Sequence, residues 1–325
     1  MFAEKYQKQA LINNRNFMKI FVIIVTYNGM RCIKKCLESI DKSKLSLLPV
    51  VIDNNSNDNT VAFIKRNYPQ FKIIENSINY GFGRANNIGL KYAIKQDADF
   101  VFLLNQDAWI APDTIEKLII LQRANPQFGI ISPVHLTGKG DELARNFVNY
   151  TPYKTIAEVR NAYRQGVSFI ETKFVSATCW LLSKDCIFKI GGFDPLFMHY
   201  GEDRDYCNRV MYYGYKIGVV LNTAVCHDRK YGNDNQYRKP QNFLFTAGLA
   251  HIKNINKNIW LNYLSWVIKR SRKIIKSLLY CDFIYFYAEL IVLGKLLMST
   301  KKISNSRTIS RNASIPYLKE DGSEI

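Results

Sequence analysis

The feature that most restricts the fold is an apolar run near the start of the chain, KIFVIIVT at residues 19–26. Continuous apolar character over this length, rich in β-branched residues, is typical of a strand buried on both faces. Apolar residues at helical spacing follow over residues 30–42, and a second strand-like run follows at residues 47–52. A strand, a helix and a strand in this order predict a parallel pair with a crossover helix, so we expect an α/β protein.

The alternation continues to about residue 133 and then weakens. We expect helices at 60–67, 89–95 and 112–123, and strands at 71–75, 100–104 and 129–133. From 134 to 167 glycine, asparagine and tyrosine become common, which predicts a long loop or insertion on the substrate side. Order resumes at 174–182, followed by a helix at 204–213 and a last strand at 216–221. Such sheets bind ligands outside the carboxyl ends of their strands.

Charge and cysteine content restrict the partners and the compartment. The chain has 45 Lys+Arg and 27 Asp+Glu, a net charge of +18, which favours an anionic partner: nucleic acid, acidic lipid or a diphosphate substrate. The 7 cysteines are odd in number and form no CxxC pair, which indicates a reducing compartment. Residues 1–18 are polar and contain no apolar segment of a signal peptide, so we expect an unexported protein.

Polar residues follow three of the predicted strands. The first strand leads into Thr26, Tyr27 and Asn28, and the second leads into a loop that begins at Asp53. A later strand, at 100–104, is followed by an Asn-Gln-Asp sequence that ends at Asp107. At the rim of a sheet, one carboxylate can accept the N3–H of a uracil or thymine base, and another can hold a divalent cation that bridges a diphosphate. Helix capping is the alternative for any single loop.

Two further segments carry candidate site residues. The string from Asn79 to Gly89 lacks the third glycine of a dinucleotide site. We expect its glycines to let the backbone approach a ligand, with Arg84 near a phosphate and Asn86 near a sugar or base. Residues 194–205 contain four carboxylates. Neighbouring acids raise one another's pKa, which suits a general base near neutral pH, while capping of the helix at 204–213 is the alternative.

Together these motifs resemble glycosyltransferase family 2, particularly its rhamnosyltransferase-like branch, over residues 19 to about 230. The matching segments, in order, are Thr26-Tyr27-Asn28, Asp53-Asn54-Asn55-Ser56-x-Asp58, Asn79-x-Gly81-Phe82-x-x-Ala85-Asn86-x-Gly89, Leu103-Leu104-Asn105-Gln106-Asp107, Gly191-Gly192-Phe193-Asp194 and Glu202-Asp203-x-Asp205.

The resemblance implies a GT-A fold, a Rossmann-like mixed sheet flanked by helices, followed by a C-terminal helical region. It implies a catalytic domain at 19–255, with a nucleotide-binding half at about 19–133 and an acceptor-binding half at about 134–255. Residues 1–18 are then an N-terminal extension, and residues 256–325 are a basic, aromatic helical region with a polar tail from Lys301. The resemblance places Thr26 and Asp53 around the nucleobase, and the full set of predicted nucleotide-binding residues is Thr26, Tyr27, Asn28, Asp53, Asn55, Asn79, Gly81, Arg84, Asn86 and Gln106.

The resemblance also implies how the reaction proceeds. Asp203 is the implied general base of a single inverting displacement, and Asp107 and His227 are the implied ligands of Mg²⁺ or Mn²⁺. Asn105 replaces the first acid of the family's DxD motif, which leaves metal dependence open. The candidates for binding the acceptor or sugar are Asp194, Glu202, His199 and Trp180, with core packing as the alternative for Trp180.

The substrates and competing functions follow from the same segments. No Q-x-x-R-W motif follows the Glu202-Asp203 pair, which argues for transfer of one sugar per visit. We expect a nucleotide-sugar donor and a glycan or lipid-linked acceptor, and no nucleic acid. The alternatives are a sugar nucleotidyltransferase, a basic nucleic-acid-binding protein and an inactive lectin-like relative. A nucleotidyltransferase would require a phosphate-binding loop after the first strand, and this loop is absent. A nucleic-acid-binding protein would require a recognition motif, and the sequence contains no recognisable one.

The C-terminal region combines aromatic and basic residues. Residues 259–300 contain the basic run 269–273, and acidic and basic residues interrupt their longest apolar stretch. This pattern predicts a pair of interfacial amphipathic helices rather than a membrane span, and hence a peripheral position at the cytoplasmic face of the cell membrane. Packing of these helices on the catalytic domain, or an oligomer interface, is the alternative.

Overall fold

The computed structural model describes residues 18–228, 240–280 and 282–318, and its centre is a nine-stranded mixed sheet. One half is parallel, in the order β3-β2-β1-β4, and the other half combines both directions. The strands are β1 (Ile20–Thr26), β2 (Leu48–Asp53), β3 (Lys72–Glu75), β4 (Phe100–Asn105), β5 (Ala108–Ile110), β6 (Phe128–Thr137), β7 (Phe169–Thr172), β8 (Cys179–Ser183) and β9 (Lys216–His227).

Helices cover both faces of the sheet and then form a C-terminal group. Those within the sheet region are α1 (Ile33–Asp41), α2 (Thr60–Asn67), α3 (Gly81–Lys95), α4 (Thr114–Ala124), α5 (Arg145–Val148), α6 (Ile156–Arg164), α7 (Lys184–Ile190) and α8 (Glu202–Tyr212). The C-terminal helices are α9 (Pro240–Lys253), α10 (Ile259–Leu279), α11 (Phe283–Met298) and α12 (Thr300–Asn312).

The buried first strand shows why the sequence folds into layers. Val22, Ile23 and Ile24 are fully buried in β1, and they alternate between two apolar clusters. Ile23 belongs to the cluster beneath α3, whereas Val22 and Ile24 belong to the cluster on the opposite face. Because successive side chains of a strand point to opposite faces, an unbroken apolar run needs helices on both sides. The predicted mixed sheet flanked by helices is confirmed.

Three sequence expectations about secondary structure are wrong. The region 134–167 is not one long loop, because β6 continues to Thr137 and α5 and α6 follow. The last strand does not end at Leu221 but continues to His227, where β5 pairs with it. The helix expected at 89–95 begins earlier, at Gly81, so α3 contains most of the string from Asn79 to Gly89.

The predicted polar tail from Lys301 is helical over about its first half, because α12 extends to Asn312. Arg307 is almost fully buried and donates hydrogen bonds to the carbonyls of Ile252, Lys253 and Asn254. The last carbonyls of a helix lack partners within the helix, so Arg307 satisfies the end of α9. Residues 319–325 of the predicted tail, residues 1–17 of the predicted extension and Cys281 lie outside the described residues.

The C-terminal helices surround a core of their own. Leu249 and Ile252 of α9 pack with Trp266 of α10 and with Val292 and Leu296 of α11. In the part of the chain that the structure describes, no single helix has the length and apolar character to cross a bilayer. Helices α11 and α12, which meet at a 57° bend, satisfy that criterion only together.

Candidate active site

A cleft of about 980 Å³ opens at the carboxyl ends of β1 and β4. Its lining comes from the ends of strands in the parallel half of the sheet, from residues 198–203 at the start of α8, and from residues 135–150. The sequence-predicted residues that line it are Tyr27, Asn79, Gln106, Asp107, His199, Glu202, Asp203 and His227.

Thr26 and Asp53 form a hydrogen-bonded pair at the ends of β1 and β2. The Thr26 hydroxyl donates to the Asp53 carboxylate at 2.8 Å, and Ser56 donates to the same carboxylate through its backbone N–H at 2.9 Å. Both Thr26 and Asp53 are almost completely buried. This pair therefore fixes the loop after β2, where Asn55 adopts a positive φ of 64°. Direct contact between Asp53 and a base stays a prediction.

Gln106 connects the ends of β1 and β4. Its side-chain oxygen accepts from the backbone N–H of Tyr27 at 3.1 Å, and its amide nitrogen donates to the Tyr27 carbonyl at 3.2 Å. Asn28 accepts from the Asn57 backbone and has a φ of 47°. Tyr27 remains 43% exposed, so its ring is available at the lip of the cleft for stacking on a base.

Asp107 and His227 are brought together although they are far apart in sequence. β5 pairs antiparallel with the end of β9, which places His227 Nε2 3.1 Å from Asp107 Oδ1. The next residue, Asp228, donates its backbone N–H to the Asp107 carbonyl and also lines the cleft. Nearby, the side-chain oxygen of Asn105 is buried without a hydrogen-bond partner among the described residues.

These residues fit a cation held jointly with a substrate. No group of three or more His, Cys, Asp or Glu side chains within the described ranges is arranged to hold a metal ion. Mg²⁺ usually takes only one or two carboxylates from the protein and completes its shell with substrate phosphates and water. A carboxylate, an imidazole and an unpartnered amide oxygen supply that partial shell.

Glu202 and Asp203 begin α8 and face the cleft. Asp203 is half-buried, whereas Glu202 is buried and one of its carboxylate oxygens has no partner in the described part of the chain. Burial, together with the neighbouring Asp203, raises the pKa of Glu202 to about 8. The helix thus presents one accessible carboxylate beside one that stays protonated at neutral pH.

Five of the residues predicted to contact substrate are not among those that line the cleft, and each is engaged with other parts of the protein. Trp180 is fully buried and stacks on Phe193, so it packs the core. Asp194 is buried in an ion pair with Lys253. Asn86 is buried inside α3 and bonds to that helix's own backbone, and Arg84 donates to the Pro195 carbonyl instead of facing the cleft. Gly81 abuts the Met198 carbonyl, so its missing side chain makes room for the protein's own backbone.

Sequence reasoning missed the third side of the cleft. His135 is buried there, close to the Ser132 hydroxyl at 2.8 Å, and burial lowers its pKa to about 3. Tyr150, Arg145 and Thr178 also line the cleft. They occupy strand ends or short helices without a recognisable motif, and only the compositional change after residue 134 indicated this region.

Comparison with known proteins places these observations in a family. The sequence profile described as "Glycosyl transferase family 2" matches residues 21–191, more than half of the chain. The O-antigen chain rhamnosyltransferase RfbN of Salmonella typhimurium is 26% identical over 72% of this chain and 73% of its own. An N-acetylglucosaminyl-diphospho-decaprenol L-rhamnosyltransferase of Mycobacterium tuberculosis is 25% identical over 64% and 75%.

Solved structures show the same fold at low identity. Residues 1–349 of TarS from S. aureus, in complex with UDP-GlcNAc, align with a TM-score of 0.58 and 19% identity over 90% of this chain and 86% of that one. The mannosyltransferase PcManGT from Pyrobaculum calidifontis, in complex with GDP-Man and Mn²⁺, aligns with a TM-score of 0.54 and 16% identity over 95% and 90%. The predicted GT-A fold is thereby confirmed.

Proposed function

The chain belongs to glycosyltransferase family 2, and on that premise we propose that it transfers one sugar, rhamnose in the first instance, from a nucleoside diphosphate sugar. The acceptor is a hydroxyl of a glycan or of a lipid-linked glycan, as in the assembly of a cell-surface polysaccharide. The observation that carries the proposal is the single cleft that is lined by the adjacent Asp107 and His227 and also by Asp203. Two relatives named as rhamnosyltransferases support the sugar.

The proposed reaction is one inverting displacement. Asp203 accepts the proton of the acceptor hydroxyl, whose oxygen forms a bond to the anomeric carbon while the bond from that carbon to the diphosphate breaks. Attack from the side opposite the leaving group inverts the configuration. The presence of both Asp203 and Asp107 in the lining of one cleft supports this arrangement, and the absence of Q-x-x-R-W after Glu202 supports a non-processive enzyme.

We assign the donor diphosphate to the side of the cleft that contains Asp107. A bound Mg²⁺ or Mn²⁺ would neutralise the charge that develops on the leaving diphosphate. Asp107, His227 and the Asn105 amide oxygen are the protein groups that would hold it, and a base would lie between Tyr27 and the loop after β2. The structurally similar mannosyltransferase, solved with GDP-Man and Mn²⁺, supports a divalent ion in this fold.

We further propose that α10 and α11 rest on the cytoplasmic face of the membrane. Leu264 and Ile268 of α10, and Ile284 and Tyr287 of α11, are all more than half exposed. Lys269 is exposed beside them. Apolar side chains bordered by lysines suit an anionic bilayer surface. A second copy of this chain is the alternative occupant of this face.

The base assignment is tested by Asp203→Asn, which keeps the shape of the side chain but cannot accept a proton. We expect turnover to fall by about a thousandfold, while donor binding, measured as thermal stabilisation by dTDP and UDP sugars, stays within twofold. Asp185→Asn, at an exposed site on α7, controls for the loss of a negative charge. Near-normal turnover of Asp203→Asn would remove Asp203 as the base.

The metal assignment is tested by Asp107→Ala. In the wild type, we expect Mg²⁺ or Mn²⁺ to increase the thermal stabilisation given by the nucleotide sugar, and EDTA to reverse the increase. The variant loses a strong oxygen ligand, so its stabilisation should be weaker and should no longer respond to EDTA. An EDTA response equal to that of the wild type would show that Asp107 holds no metal.

A further inference from the structure

A buried lysine joins the two ends of the acceptor-side wall. Lys253 is the last residue of α9 and is fully buried. Its ammonium lies 2.6 Å from a carboxylate oxygen of Asp194 and 2.6 Å from one of Asp205. The chain between these two carboxylates contains the cleft-lining residues Met198, His199, Tyr200, Glu202 and Asp203. One ammonium group therefore binds a carboxylate at each end of the segment 194–205.

Asp205 lies on the side of α8 away from the base. At 3.6 residues per turn, side chains two positions apart differ by about 200° around a helix, so Asp205 and Asp203 face in nearly opposite directions. Arg209 also binds Asp205 at 2.9 Å, and it donates to the carbonyls of Ile190 and Gly192. Arg209 and Lys253 thus bind the side of α8 that carries Asp205, and the other side presents Asp203 to the cleft.

The C-terminal segment completes this network on the Asp194 side. The Tyr317 hydroxyl donates to Asp194 at 3.1 Å, and Ser306 of α12 donates to the same carboxylate oxygen. Two carboxylates and two cations give the network no net charge. Replacing buried ion pairs by apolar residues is often neutral or stabilising, so stability alone does not account for such a group. A fixed geometry of the segment 194–205 does account for it.

We infer that Lys253 is a positioning residue for the glycosyl transfer, holding the segment 194–205 so that Asp203 meets the acceptor hydroxyl. The inference rests on the proposed function of Asp203. Lys253 lies in α9, one of the C-terminal helices, so together with Ser306 and Tyr317 it connects that helical group to the segment that carries Asp203. Misplacement of a reacting group by about 1 Å costs about a hundredfold in rate.

The test compares Lys253→Met and Tyr317→Phe with Glu289→Gln. Glu289 is fully buried and pairs with Arg270 between α10 and α11, so its variant breaks a buried ion pair of the same helical group away from α8. The measurements are release of dTDP from dTDP-L-rhamnose, with kcat and KM separated, and hydrogen exchange of the amides of residues 198–212.

For Lys253→Met we expect kcat to fall about a hundredfold with KM for the donor within twofold, and exchange at 198–212 to accelerate. Tyr317→Phe should lower kcat and accelerate exchange at 198–212 to a smaller extent. If Lys253→Met does not fold, Tyr317→Phe alone tests the inference. Glu289→Gln should lower the melting temperature without either effect. Unchanged exchange, or a loss of kcat equal to that in Glu289→Gln, overturns the inference. Turnover retained by Asp203→Asn would instead refute the proposed function, and exchange would still report on Lys253.

Discussion

At the scale of single residues, buried Glu202 makes the stability of the protein depend on pH. Its folded-state pKa of about 8 lies above the ordinary value of 4.5, because burial and Asp203 disfavour its ionised form. The folded state therefore keeps a proton that the unfolded chain releases. The protonated Glu202 side chain therefore adds to the free energy of unfolding. This contribution is complete below pH 4.5 and is lost as the pH rises through about 8.

The variant Glu202→Gln tests this dependence, because glutamine resembles a protonated glutamate that cannot ionise. We expect wild type and variant to differ little in melting temperature near pH 5. Near pH 9 the variant should melt several degrees higher, since only the wild type must ionise a buried carboxyl to remain folded. Parallel melting curves across this range would show that Glu202 is solvated and ionised in the folded protein.

Sequence reasoning identified residues at strand ends better than it identified their partners. Asp107 follows β4, so its location at the sheet edge was predictable from periodicity, whereas His227, the last residue of β9, was indicated only by the family resemblance. Asp194 belongs to the same acidic group as Asp203, yet it binds Lys253 from a helix that follows it by more than forty positions. Side-chain identity alone does not distinguish a carboxylate that faces solvent from one that meets a distant cation.

At the scale of elements, Gly191 lets the C-terminal segment pack against the turn after α7. Gly191 has φ 74° and ψ −150°, a conformation essentially restricted to glycine. A Cβ at this position would meet the carbonyl oxygen of Pro316, whose carbonyl accepts from the Gly192 backbone N–H at 2.9 Å. The glycine thus serves both the turn after α7 and the contact with residues 313–318.

Gly191→Ala should therefore cost more than backbone strain alone. Gly214 also has a positive φ, 81°, but nothing lies within 4 Å of its added Cβ, so Gly214→Ala is the matched control. We expect the control to lose about 1–2 kcal/mol of unfolding free energy, and Gly191→Ala to lose at least about 3 kcal/mol. Equal losses in urea denaturation would show that residues 313–318 do not press on this turn.

Elements with strong periodicity were predictable, and elements stabilised by distant contacts were not. The β-branched residues of β1 require burial on both faces whatever the rest of the chain does. Helix α12 is rich in serine, lysine and arginine, and it is held because Arg307 and Ser306 find partners on other elements. A polar sequence of this kind gives no local signal of burial.

At the scale of the whole molecule, the exposed face of α10 and α11 predicts binding to anionic bilayers. We expect the protein to sediment with vesicles containing phosphatidylglycerol, and less so in about 0.5 M salt, where the Debye length is only a few ångströms. Ile284→Glu, at a side chain that is 81% exposed, should weaken vesicle binding about tenfold. Ile78→Glu, in the loop after β3, is the control and should bind as the wild type does.

The oligomeric state of the same samples separates the two occupants of this face. A protein that ignores vesicles but forms dimers, which Ile284→Glu dissociates, would assign the face to a second copy of the chain. Binding to neutral and anionic vesicles alike would leave the lysines around α10 without a part in membrane attachment.

The contact between Pro316 and the turn at Gly191 has a consequence for biosynthesis. The ribosome makes the sheet and the acceptor-side acids first, but Leu318 enters the apolar cluster beneath α3 only after the C-terminal helices have emerged. The contacts of Pro316 with Gly192 and of Tyr317 with Asp194 can therefore form only after residue 317 has been synthesised.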